Sequence, residues 1–267
     1  MPGMNPRPFS TPPAAPRLHA LSVVLVAALA LLTVSACASR SGADGKQETR
    51  FTPAALGKSD IDRVVDAHRR ELDASLKRLA EKLYRRNPRE WRQAGQNSLD
   101  EAVARIFDPA KAHAELDQQA GDAKELREIA AARAAFREDF RGDRVLALVG
   151  GLNDMIDAAF EHKTEFYVLD ELDAQKLSNC ARNIEIALWK LNSSRDAKGQ
   201  PILLASDGDS VGNARNLSFE REFGRMIGQL DLLSQVVADK NGRTVTRVVQ
   251  NLATALFLPV KELLVTK

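Results

Sequence analysis

Residues 60–88 read DIDRVVDAHRRELDASLKRLAEKLYRRNP, and this stretch decides the fold class. Its apolar side chains recur every three or four positions, which is the spacing of one face of an α-helix. That face consists of Ile61, Val65, His68, Leu72, Leu76, Leu79 and Leu83. Asn87 and Pro88 end the pattern, because the residue before a proline disfavours the helical conformation. The sequence therefore predicts a long first helix that starts at Asp60 and ends just before Asn87.

The same helical period returns through most of the following chain. Ser98 and Glu101 form a capping-box pattern, and Asp108 with Pro109 closes the short helix that begins there. Further helices are predicted over residues 122–140, 145–160, 177–191, 219–237 and 245–257, the last two antiparallel across a short connector. The pattern stops between residues 193 and 217, where residues 200–205 are predicted as a short strand or a packed loop. The predicted fold is all-α, a multi-helix bundle with a long irregular loop.

The N-terminus has the composition of an export signal. Residues 1–36 contain no acidic residue, and Arg7 and Arg17 precede an apolar run from Leu21 to Leu32. This order is typical of a secretory signal peptide. The uncharged stretch from Ala20 to Ala38 also approaches the length of a membrane-spanning helix, so an uncleaved anchor is the alternative. The small residues at its end favour cleavage.

The end of this signal carries a recognisable motif. Val34-Ser35-Ala36-Cys37 resembles the lipobox of bacterial lipoprotein precursors. The resemblance implies cleavage after Ala36 and lipidation of Cys37, which would then be the first residue of the mature chain. Ala38-Ser39, with no aspartate, resembles outer-membrane sorting in Gram-negative lipoproteins. The alternative is a plain secretory signal beside an unrelated cysteine.

These features divide the chain into three parts. Residues 1–36 are the predicted signal peptide, and residues 37–58 are a lipidated N-terminus and flexible tether, polar and without a helical stripe. Residues 59–267 form a single predicted helical domain. As a random coil, the tether would span about 25 Å.

Charge argues against one class of partner. Signal removal takes away only Arg7 and Arg17, so the 38 basic residues fall to 36 and match the 36 acidic ones. Phosphate binding needs a concentrated cationic surplus, so we predict no nucleic-acid partner. We also predict no cofactor and no bound metal, since His162 and Glu165 have no second ligand motif beside them.

A cationic segment with aromatic neighbours is the predicted interaction surface. Arg85, Arg86, Arg89 and Trp91 are its main candidates, within a cluster that also contains Lys77, Arg78, Lys82 and Arg92. Such a surface could bind an anionic lipid, an acidic glycan or an envelope protein. The alternative is a solvated helix end whose cations complement the helix dipole.

Four residues are weak catalytic candidates, each with a structural alternative. His162 suits a helix C-terminus, and Asp170 and Asp173 suit the first turn of a helix. Cys180 falls on the apolar stripe of its helix, where cysteine packs as a small hydrophobe.

The sequence-based hypothesis is a lipid-anchored, outer-membrane lipoprotein with a periplasm-facing domain. Its expected role is that of a scaffold or adaptor in the cell envelope. An envelope hydrolase and a carrier of a small ligand or lipid are the alternatives. Familiar catalytic motifs are lacking, which favours a non-enzymatic role.

Overall fold

A computed structural model describes residues 57–119, 128–206, 217–242, 244–246 and 250–260. The predicted signal peptide, Ala36, Cys37 and the tether up to residue 56 lie outside the described residues. Within the described ranges the secondary structure is helical, apart from one isolated bridge between Arg195 and Pro201. The predicted all-α class is confirmed.

Eight helices form the described part of the chain. They are α1 (Asp60–Arg86), α2 (Pro88–Gln93), α3 (Leu99–Ile106), α4 (Pro109–Gln119), α5 (Glu128–Ala134), α6 (Arg144–Ala159), α7 (Ala174–Ser193) and α8 (Ser218–Asn241). Helix α1 packs against α3, α6 and α8, and α7 packs against α6 and α8. The compact unit to which they belong begins at Lys58.

The long first helix follows its sequence pattern. Ser59 caps it, because its hydroxyl accepts from the Asp62 N–H at 3.2 Å and the Asp62 carboxylate accepts from the Ser59 N–H at 2.7 Å. The predicted leucine stripe is fully buried from Leu72 to Leu83. Pro88 ends α1 and also opens α2, since the first helical position needs no N–H donor.

The central helix is α6. Every residue from Val145 to Leu152 is buried, and the helix packs against α1, α5 and α7. The predicted break at Arg141-Gly142-Asp143 is confirmed, because α6 begins at Arg144 with Asp143 as its cap. The Asp143 carboxylate accepts from the N–H groups of Val145 and Leu146 at 2.9 Å each.

A buried polar network connects α6 to three other helices. The second Asp143 oxygen accepts from the Arg105 guanidinium of α3 at 2.6 Å and from the Tyr84 hydroxyl of α1 at 2.8 Å. Arg105 also binds Glu115 of α4 at 2.5 Å. Burial, followed by the charge of Asp143, raises the pKa of the Tyr84 phenol well above its usual value. Tyr84 therefore stays neutral and donates its proton.

Gly142 permits a close approach within this network. The Gln119 side-chain oxygen accepts from the Asp143 N–H at 3.2 Å. A Cβ atom at Gly142 would lie only 2.1 Å from that oxygen. A side chain at position 142 would therefore have to displace the Gln119 amide from the Asp143 N–H.

Two predicted helix boundaries differ from the structure. Pro109 does close α3, but it also opens α4, a helix that the sequence pattern did not predict. The alanine-rich helix predicted over 122–140 is described only as α5 and ends at Ala134; residues 120–127 lie outside the described ranges.

The predicted last helix over residues 245–257 is wrong. The described residues there, 244–246 and 250–257, are not helical. Amide side chains of α7 instead bind the main chain of the C-terminal segment. Gln175 donates to the Thr246 carbonyl at 3.0 Å and accepts from the Thr246 N–H at 2.9 Å. Asn183 pairs in the same way with Leu258, at 2.8 and 2.6 Å. The bond to the Thr246 carbonyl takes an acceptor that a helix over 245–257 would use internally, and the Leu258 bonds hold the chain just beyond that range. The β-branched residues 244–246 also disfavour a helix.

We expect Asn183→Ala to release this C-terminal segment, residues 244–246 and 250–260. The substitution removes both partners of the Leu258 main chain, at a cost of about 1–3 kcal/mol of local stability. Hydrogen exchange measured by mass spectrometry should accelerate in residues 250–260 and stay unchanged in α1.

Asn192→Ala, at an exposed position near the end of α7, is the matched control. Equal exchange of residues 250–260 in the two variants would contradict the role given to Asn183.

Candidate functional site

An open cleft of about 600 Å³ lies between α1, the start of α4, α6 and the loop that follows α6. Most of the residues that line it are polar or charged, while apolar atoms provide most of its exposed surface. The residues that determine its chemistry are Arg69, Asp73, His113, Asp154, Asp157 and His162.

Two histidines of the cleft each pair with an aspartate of α6. The Nε2 atom of His113 lies 2.9 and 3.0 Å from the two carboxylate oxygens of Asp154. The Nδ1 atom of His162 lies 2.6 Å from the Asp157 carboxylate. Asp154 and Asp157 are three residues apart and therefore share one helix face. A carboxylate in this position orients the imidazole ring through a hydrogen bond.

Arg69 organises the wall contributed by α1. Its guanidinium is buried, donates to Asp73 at 3.1 Å and to Asp157 at 3.2 Å, and lies 5.4 Å from the centre of the Phe160 ring. Burial raises the pKa of Asp73, although the charge of Arg69 opposes that shift. Arg69 thus holds two carboxylates at the edge of the cleft.

The backbone beside His162 is strained. Glu161 and His162 have φ values of 53° and 58°, in the left-handed region that non-glycine residues rarely occupy. The His162 N–H donates to the Asp157 carbonyl at 2.9 Å, and Lys176 binds the Glu161 carboxylate at 2.8 Å. These contacts offset a strain of about 1–3 kcal/mol per residue. The conformation places the His162 ring directly over Asp157.

The four catalytic candidates from the sequence do not form one site. Asp173 caps α7, accepting from the Gln175 N–H at 2.7 Å. Asp170 binds Lys163, whose hydrogen bond lowers the pKa of this carboxyl, and Cys180 is fully buried with its thiol pKa raised by burial. In the part of the chain that the structure describes, no hydrogen bond joins any two of the four. Only His162 lines the cleft.

The cleft suits reversible binding of a small polar molecule. Its histidines offer ring nitrogens for hydrogen bonding, and Thr164 adds a hydroxyl. The described lining contains neither serine nor cysteine. Among all described residues, no group of three or more histidine, cysteine and acidic side chains is arranged to hold a metal ion.

Sequence reasoning missed most of this cleft. Asn153 and Asp154 stood out as polar residues in an apolar helix, which was the one available signal. His113 is 41 positions from Asp154 in the chain, so their pairing follows only from the packing of α4 near α6.

The predicted cationic surface divides into two parts. Arg78 and Lys82 bind Glu222 of α8 at 3.1 and 3.3 Å, so they stabilise the bundle. Arg85, Arg89 and Arg92 are exposed and form no ion pair with another described residue. We call these three residues the cationic end.

Two predicted members of the cationic surface are only partly exposed. Arg86 is half-buried. Trp91 is also half-buried and packs on the core, while the Arg92 guanidinium lies 5.1 Å from the centre of its ring. The exposed groups of this surface are therefore mainly the guanidinium groups of the cationic end.

Comparison with protein-family models, curated proteins and solved structures finds no match. The functional assignment therefore depends on this chain's own residues. No helix among the described residues has the length and apolar character needed to cross a bilayer.

We expect the ion pairs of Glu222 to contribute to the pH dependence of stability. Burial alone would raise its pKa, but the hydrogen bonds from Arg78 and Lys82 outweigh burial and lower it below the usual 4.5. A carboxyl with a lowered folded-state pKa stabilises the fold above its unfolded pKa, and this stabilisation is lost as the pH falls through the folded value. We expect Glu222→Gln to lower Tm at pH 7 and to flatten its decline below about pH 4.5.

Glu171→Gln, at an exposed position without such partners, serves as the control and should follow the unsubstituted protein. Parallel Tm curves for Glu222→Gln and the unsubstituted protein would show that the ion pairs do not stabilise the fold.

Proposed function

We propose that this chain is an outer-membrane lipoprotein, anchored through Cys37, whose helical domain acts as an adaptor facing the periplasm. The domain would present its cationic end to an acidic surface of an envelope protein. Support for the anchor comes from the lipobox resemblance and the polar tether that follows it.

The geometry of α1 carries the adaptor proposal. Its 27 residues extend over about 40 Å, because an α-helix rises 1.5 Å per residue. The predicted tether joins the folded unit at Lys58, and the cationic end lies at the opposite end of this helix. A rigid helix thus separates the point of attachment from the cationic end.

The helix dipole accounts for Arg85 and Arg92, which lie in last turns, but not for the whole cationic end. Arg85 in the last turn of α1 is favourably placed near a helix C-terminus. Arg89 is not, because it lies in the first turn of α2, where a dipole favours acidic residues. Exposed guanidinium groups form paired hydrogen bonds with carboxylates, so an acidic protein surface is a chemically suitable partner.

The alternative functions have less support. The hydrolase hypothesis loses two of its four candidates, since Asp173 is a cap and Cys180 is buried. The cleft would suit a small ligand with polar groups better than a lipid, because charged side chains such as Arg69 and Lys77 line it beside its apolar surface.

The test is charge reversal at the cationic end of the full chain in a Gram-negative host. Arg85→Glu combined with Arg89→Glu should abolish crosslinking to an envelope protein, because both changes oppose an acidic partner. Membrane fractionation and Tm should not change, since both side chains are exposed.

Lys198→Glu combined with Arg221→Glu is the control, with the same charge change at two other exposed positions. Three outcomes would contradict the adaptor proposal. The crosslinks could survive charge reversal at the cationic end, they could disappear equally in the control, or they could join the domain to phospholipid. Release of unmodified chain from the membrane fraction would contradict the anchor.

A further inference from the structure

We infer that the turn at Tyr167, Val168 and Leu169 is a hydrophobic tip that inserts into the surface of the bilayer holding the Cys37 lipid. The inference rests on the proposed lipid anchor. It adds a second membrane contact, made by the folded domain itself.

The tip exposes apolar side chains at its apex. Leu169 is 93% exposed and Val168 is 56% exposed. Residues at such turn positions are usually glycine, asparagine, aspartate or serine, because polar groups suit a solvated turn. Two adjacent aliphatic residues at an exposed apex would be stabilised by an apolar environment that the described domain does not provide.

The turn beneath the apex is firmly built. The Asp170 N–H donates to the Tyr167 carbonyl at 2.8 Å, and the Tyr167 N–H donates back to the Asp170 carboxylate at 2.9 Å. Phe166 is buried with its ring 6.0 Å from that of Phe160, and its N–H donates to Asp66 at 2.8 Å. The apolar apex is thus held in place before any membrane contact, which lowers the entropic cost of insertion.

The charges at the base of the tip are paired. Lys163 binds Asp170, and Lys58 binds Asp66 and lies 3.3 Å from the Glu165 carboxylate. Ion pairs reduce the cost of bringing these charges close to lipid. The charges at Lys58, Lys163 and Asp170 are therefore paired. Glu171, which is exposed two residues from Leu169, is the charge that should stay in the headgroup layer.

The position of the tip identifies its partner as the anchoring bilayer. Lys58 begins the folded unit, and its ammonium lies 4.8 Å from the centre of the Tyr167 ring. The predicted tether therefore joins the domain next to the tip. A tether with a span of about 25 Å keeps this end of the domain close to the lipid, at a high effective concentration. Two aliphatic side chains would bind a bilayer only marginally alone, but the anchored domain needs only to be oriented.

The test places a fluorescent probe at the apex of the full, lipidated chain. Leu169→Cys is labelled with an environment-sensitive fluorophore, and the protein is reconstituted in vesicles of phosphatidylethanolamine and phosphatidylglycerol. Labelling is specific because Cys180 is buried with a raised thiol pKa and Cys37 carries lipid. Leu232→Cys on α8, which replaces a leucine 54% exposed, is the matched control.

We expect the probe at position 169 to shift its emission to the blue. Nitroxide-labelled lipid should quench it several-fold more than the probe at position 232. Equal emission and quenching at the two positions on vesicle-bound, lipidated protein would overturn the tip and leave the anchor intact. Failure of the chain to carry lipid, seen by intact mass, would instead overturn the anchor and the tip together.

Discussion

The packing of this bundle depends on one buried carboxylate, that of Asp143. One oxygen caps α6, and the other accepts hydrogen bonds from Arg105 and Tyr84. A buried charge is costly unless it is paired and hydrogen-bonded, so Asp143, Arg105 and Tyr84 must keep their positions together. This requirement fixes α1, α3 and α6 relative to one another.

The hydrogen bonds of Asp143 also help to hold helix α1 in place. Its leucine stripe is buried along the core, Arg69 connects it to Asp157 of α6, and Arg78 connects it to Glu222 of α8. A helix held along its length can keep its two ends apart. The proposed adaptor role and the proposed membrane tip both depend on this separation, because one uses the cationic end and the other uses the end at Lys58.

Local features of the fold were predictable from the sequence, and long-range pairings were not. The stripe of α1 and the cap at Ser98 follow from spacing and capping chemistry within a few residues. The pairing of His113 with Asp154 follows only from packing. The predicted last helix is wrong although its apolar period is present in the sequence, because Gln175 binds the Thr246 carbonyl and Asn183 holds Leu258, and spacing alone does not show either contact.

The buried network can be tested most directly by removing its cation. Arg105→Met keeps the side-chain volume but leaves Asp143 charged and unpaired, and urea denaturation should show a loss of about 3–5 kcal/mol in the free energy of unfolding. Arg221→Met, at an exposed position on α8, should change that free energy by less than about 0.5 kcal/mol. A similar small change for Arg105→Met would contradict the central place given to Asp143.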